Sequence, residues 1–179
     1  MKTIEERLDI LEEKMRQESF RTNTGLGGEV GYYVFDYDPN QELVVRERVN
    51  SLGSSNTVLK FGYQLKIFDL YELILQLLEE EGVLEDLKDL EEEEGTDYVF
   101  QSISDVLRFD DKDSLIIRYI MDNTPDDSVV FLTGVGKSYP ILRSHKILNN
   151  LHQVMDHCPV ILFFPGRYNL SLIHISEPT

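Results

Sequence analysis

Hydrophobic positions along this chain follow two periods. Two runs, 129–133 and 159–165, are apolar on nearly every residue. A run of that kind suits a strand covered on both faces, as in a parallel sheet. Between them, Ile147, Leu148, Leu151, Val154 and Met155 form a stripe at helical spacing, which predicts a helix over 140–156. Strand, glycine turn, helix and strand in that order make a crossover unit, the connection a parallel pair requires. The rest of the chain is organised around this stretch, 128–166.

Upstream, Ile4, Leu8, Leu11 and Met15 form a narrow seam in an otherwise charged segment, predicting a helix over 3–20 within an amphipathic N-terminal region, 3–22. Thr3 and Glu6 fit a capping box. The seam suits either packing on the chain's own domain or docking to a partner helix. A glycine-bearing loop (Gly25, Gly27, Gly28, Gly31) leads to a strand at 32–37, YYVFDY. Asp38-Pro39-Asn40 turns the chain into a helix over 41–52. A polar loop over 51–56 follows, then a strand over 59–68 on the alternation of Phe61, Tyr63, Leu65 and Ile67. Asp69 is placed to cap a helix over 70–81 that Gly82 stops. Further helices are expected over 83–94, 100–109 and 114–121, with Glu91 to Glu94 as a solvated face. The predicted fold is α/β: a mostly parallel central sheet flanked by helices in a Rossmann-like three-layer arrangement, forming one domain over 30–169.

Composition narrows the chemistry. Seventeen Lys and Arg against 33 Asp and Glu give a net charge of -16. Direct binding to a nucleic-acid backbone is therefore not expected, since cationic side chains drive it. Cys158 is the sole cysteine, which excludes an internal disulfide and a thiolate cluster. No apolar run approaches the roughly 20 residues of a membrane span. With no signal-peptide pattern, the expected compartment is the cytoplasm.

The motifs are incomplete as catalytic signatures. Gly134-Val135-Gly136-Lys137-Ser138 ends like a phosphate loop, but Phe131 stands where its first glycine belongs. The turn still places two glycines between strand and helix, where backbone amides meet an anion or simply turn the chain. Asp36 and Asp38 lie two apart at a strand end and point the same way; such a pair holds a cation, does acid–base work or caps the next helix. Glu42, Arg46 and Glu47 have the spacing of a helical ion-pair network. Arg143 is expected to pair with Asp36 or Asp38, or with a partner's carboxylate. His152 and His157, five apart, share no helix face and make poor joint ligands. Cys158 precedes an apolar strand and reads as a small buried hydrophobe. No metal site and no cofactor is indicated. In an open parallel sheet the carboxyl ends of strands face the binding crevice. The turns after residues 36, 134 and 165 are thus expected to gather at one edge. The candidate anion or partner site comprises Asp36, Asp38, Glu42, Arg46, Gly134, Gly136, Lys137, Ser138, Arg143, Pro165 and Gly166.

The series YYVFDYDP, E-x-x-V-R-E-R (42–48), FDLYELIL, LTGVGKSYPILRSHKILNNL and PVILFFPGRYN resembles the BrxB family, a component of BREX bacteriophage-exclusion systems. The resemblance runs over about 30–169, and Asp36, Pro39, Glu42, Arg46, Gly134, Gly136, Pro140, Arg143, Pro165 and Gly166 match its motif. It implies a non-enzymatic or chemically uncharacterised accessory protein acting with other BREX components, notably the alkaline-phosphatase-like PglZ. It offers no catalytic residues. The alternative function is a phosphate- or nucleotide-binding subunit using the Gly134–Ser138 turn. The last ten residues, LSLIHISEPT over 170–179, read instead as a translated sequencing adapter. The expectation is a non-native tail, a C-terminally truncated sheet lacking a native strand, and an unpaired edge beside Ile161 to Phe164.

Overall fold

The computed structural model describes residues 1–22, 31–109, 111, 113–138 and 142–168. The 23–30 loop and the 170–179 decapeptide lie outside these, as does Pro140. In chain order the elements are α1 (Ile4–Arg16), α2 (Glu18–Thr22), β1 (Tyr32–Tyr37), a 3-10 turn (Pro39–Gln41), α3 (Glu42–Ser54), α4 (Thr57–Phe61), β2 (Gln64–Asp69), α5 (Leu70–Glu80), α6 (Leu84–Glu94), α7 (Thr96–Leu107), α8 (Leu115–Asp122), β3 (Ser128–Thr133), α9 (Val135–Ser138), α10 (Ser144–Val154) and β4 (Val160–Pro165). The architecture is the α/β class that the sequence predicts. The strand order is β1-β4-β3-β2. Both β1 and β3 run parallel to β4, with Tyr32 opposite Val160, Tyr37 opposite Pro165, and Phe131 opposite Ile161. At the start of β2 the Gln64 N–H donates to the Asp127 carbonyl just before β3 (3.1 Å), so these two strands enter the sheet side by side.

The chain divides into two compact units. The first, Met1–Phe68, Thr124–Thr133 and Met155–Thr179, holds the sheet. Its core joins Leu8, Leu11 and Met15 of α1 and Val45, Val49 and Leu52 of α3 to Phe35, Phe131 and Phe163 on three adjacent strands. Phe131 meets Phe163 edge-on at 4.8 Å between centroids, and Phe163 meets Phe35 at 5.6 Å. The α1 seam is spent on this core: Leu8, Leu11 and Met15 are all buried. Each contributes about 1.5–3 kcal/mol by leaving water. Thr3 caps α1 by accepting from the Glu6 N–H, and the Tyr63 hydroxyl donates to the Met15 carbonyl at its other end (3.0 Å). Arg48 of α3 reaches Asp9 and Glu12 of α1, and Lys60 of α4 also reaches Glu12.

The second unit, Asp69–Asn123 and Gly134–Val154, is helical. Leu73, Ile74, Leu77 and Leu78 of α5 are buried, as are Val99, Ile103 and Leu107 of α7 and Ile116, Ile117 and Ile120 of α8. Asp69 caps α5 through the Glu72 N–H (3.1 Å), and Ser114 caps α8 through that of Ile117 (3.2 Å). Glu91 to Glu94 are all exposed, as their like charge requires.

Several boundaries differ from expectation. The polar stretch 51–56 is not a loop at its start, because α3 continues to Ser54. Residues 59–61 are not strand: α4 takes them, capped by Asn56 and closed by Gly62 at φ +84°. Only a glycine adopts that left-handed conformation cheaply, so the alternating run is cut there and β2 begins at Gln64. Helix α7 starts at Thr96, four residues earlier than its apolar stripe suggests. The helix expected over 140–156 starts at Ser144 and ends at Val154, and Val135–Ser138 is a separate turn of helix. The Ile161 to Phe164 segment has no open edge. It lies between β1 and β3, in the interior of the sheet.

Candidate functional site

The sheet order sets the carboxyl ends of β1 and β4 side by side. The Gly166 N–H donates to the Tyr37 carbonyl (2.7 Å), closing the two strands into a shared rim. Around this rim stand Asp36, Asp38, Glu42, Arg46, Pro165 and Gly166, six of the residues selected from the sequence. Asp36 is half-buried. Its partner is Arg7 of α1 (3.6 Å), and its second oxygen accepts from the Tyr168 N–H (3.2 Å). Asp36 is thus paired within its own unit, and Arg143 is an exposed residue of the second unit. The Arg7 guanidinium also lies 4.4 Å from the centre of the Phe35 ring, a cation–π contact.

Asp38 is the capping carboxylate, accepting from the Asn40 N–H at 2.9 Å. The aspartates therefore do separate jobs, one in an ion pair and one in a turn. Glu42 accepts from the Tyr37 hydroxyl and pairs with Arg46 (3.4 Å). Burial, and then the adjoining Glu42 carboxylate, hold the Tyr37 phenol well above its ordinary range. Beside them Leu43 is 62% exposed, an apolar side chain on the outer face of the first turn of α3.

The Gly134–Ser138 turn belongs to the second unit. Gly134 has φ +77°, and a Cβ there would stand 2.9 Å from Asp69 Cγ and 3.1 Å from Tyr71 N. The start of α5 thus packs directly against the glycine. Ser138 is buried, and its hydroxyl donates to the Gly134 carbonyl (2.7 Å). Gly136, Lys137 and Arg143 are exposed. Burial also raises the Cys158 thiol, whose sulfur is held against the Pro125 and Asp126 carbonyls. Among the described residues no group of three His, Cys, Asp or Glu side chains is placed to hold a metal ion. Nor is any helix among them long and apolar enough to cross a membrane.

Arg7 and Tyr168 are the rim residues that sequence reasoning missed. Arg7 lies 29 positions before Asp36 on an element read only for its apolar seam. Tyr168 acts through its main chain, which leaves no side-chain signal.

A family model described as BREX protein BrxB matches residues 66–177. The match contains the Gly134–Ser138 turn, Arg143 and the end of β4, and it extends into the final decapeptide. A BREX protein BrxB of Bacillus cereus (strain H3081.97) is 44% identical over 180 aligned residues, covering 99% of this chain and 92% of the relative. Another of the same description, from Escherichia coli O9:H4 (strain HS), is 29% identical over 166 residues, covering 93% and 80%. No solved structure matches.

Proposed function

We propose, from the premise that this chain belongs to the BrxB family of BREX proteins, that it is an accessory subunit of a BREX phage-defence complex. It acts by protein–protein contact, and its direct partner is the PglZ-type protein of the same locus. One observation carries this reading. The charged groups gathered at the β1–β4 rim are matched to neighbours: Arg7 with Asp36, Glu42 with Tyr37 and Arg46, and Asp38 with a backbone amide. A nucleophile or general base needs a reactive group aimed at open space. This rim instead presents Arg46, Leu43 and Asp38 at the surface, in the manner of a docking patch. The charge of -16 favours partners with a basic face over nucleic acid.

Phosphate binding at Gly134–Ser138 is the weaker reading. The Asp69 carboxylate stands against Gly134, and a second anion there would meet like charge.

The test is co-expression with the PglZ-type protein followed by size-exclusion chromatography. Co-elution at a defined mass is expected, weakened by Arg46→Glu and by Arg143→Glu. Separate elution at micromolar concentrations would sink the accessory-subunit reading, and nucleotide titration of Lys137→Ala against the parent chain would then decide on the phosphate reading.

A further inference from the structure

We infer that the open edge of β2 receives an extended, basic-flanked strand of a partner protein. This rests on the reading that the chain works by docking proteins, and adds where and how.

Among the described residues β2 is an outer strand, with β3 on one side only. In an extended strand, successive N–H groups point to opposite sides. The Gln64 N–H faces β3, where it meets the Asp127 carbonyl. The Leu65 N–H therefore faces outward, and it is taken by the Thr57 hydroxyl at 3.2 Å. That contact fixes the first turn of α4 against the outer side of β2. By the same alternation the Ile67 N–H and carbonyl point outward, and among the described residues they have no partner.

The surroundings suit an added strand. Val58 and Leu59 follow Thr57 on α4 and are 54% and 84% exposed, forming an apolar shelf beside the edge. Leu65 and Ile67 are only partly buried. Main-chain bonds at an edge give such a complex its affinity, and alternate side-chain positions give its specificity. The charge selects the occupant. Asp126 and Asp127 are exposed just before β3, beside the amino end of β2, on a chain of net charge -16. A second copy would bring like charge to like charge, whereas a strand flanked by lysine or arginine is attracted.

Amide exchange of the full chain, followed residue by residue by NMR, tests this. The probes are a nine-residue peptide alternating valine and lysine, and the PglZ-type protein of the locus. Either is expected to slow exchange of the Ile67 amide by about tenfold, as protection of an opened edge requires. The double variant Val58→Lys/Leu59→Lys changes only exposed side chains, removes the apolar shelf and repels a basic strand, and is expected to abolish that protection. An Ile67 amide that exchanges at the same rate with both probes at saturation overturns the inference. So does protection that grows with this chain's own concentration and no probe, which would make the occupant a second copy. If the PglZ-type protein co-elutes while Ile67 stays unprotected, the inference fails and the accessory reading stands. If the peptide protects Ile67 while the PglZ-type protein elutes apart, the reverse holds.

Discussion

Gly134 and Asp69 occupy adjoining volumes that only a hydrogen side chain reconciles. A Cβ at residue 134 would stand 2.9 Å from Asp69 Cγ, on a backbone already at φ +77°. Gly134→Ala therefore combines left-handed strain of about 1 kcal/mol with a collision against a capping carboxylate, for a total of about 2 kcal/mol or more. Urea unfolding measures it. Asp69→Ser keeps a capping hydroxyl but shortens the side chain. In the Gly134→Ala background it is expected to recover about 0.5 kcal/mol or more, as coupled neighbours do. Full additivity of the two changes would mean that the collision is absorbed elsewhere.

The Arg7–Asp36 pair ties α1 to the rim. Asp36→Ala removes both that ion pair and the acceptor for the Tyr168 N–H. A loss of about 1–2 kcal/mol is expected, mostly from the amide left without its acceptor. Arg7→Ala should cost less at high salt than at low salt, since the pair is part-exposed. Thermal melts at two ionic strengths separate the contributions.

Alkaline pH should unfold this protein through its tyrosines. Burial raises the Tyr32 phenol, whose hydroxyl donates to the Met155 carbonyl, and burial followed by Glu42 raises Tyr37. The folded chain keeps these protons at pH values where the unfolded chain, titrating near 10, releases them. The unfolded state then binds fewer protons, so stability is fully present below about pH 10 and falls as pH rises beyond it. Tyr32→Phe and Tyr37→Phe should each flatten that fall, read from urea midpoints between pH 8 and 11. An unchanged slope in both would contradict the assignment.

Cys158 is buried and its thiol is raised by that burial, so a thiol reagent at pH 8 should not label the native protein. Labelling should appear only with global unfolding and follow the urea transition. Fast native labelling would place the sulfur nearer the surface than the fold allows.

The parts of this fold legible in the sequence are those whose signal is local. YYVFDY reads as a strand because its residue types prefer one, and it forms over those six positions. Asp69 and Thr3 read as caps because a cap needs only its neighbours. The 59–68 run departs from its expected strand because Phe61, Tyr63, Leu65 and Ile67 alternate while the backbone changes state at Gly62, the residue that marks the break. The rim was half legible for the same reason. The Glu42–Arg46 pair is a four-residue spacing, but the partner of Asp36 depends on how α1 crosses the sheet. Strand order is less local still. A strand expected at an edge lies in the interior because β1 returns to pair with the last strand.

That return sets the timing of biosynthesis. Among the described strands β4 is the last to leave the ribosome, yet it separates β1 from β3 in the sheet. Until residue 165 has been made, β1 lacks its β4 neighbour, and the edges of β1 and β3 that β4 fills stay open. Pairings so distant along the chain are slow to form and expose apolar strands meanwhile. A nascent chain stalled before β4 is therefore a natural client for chaperones.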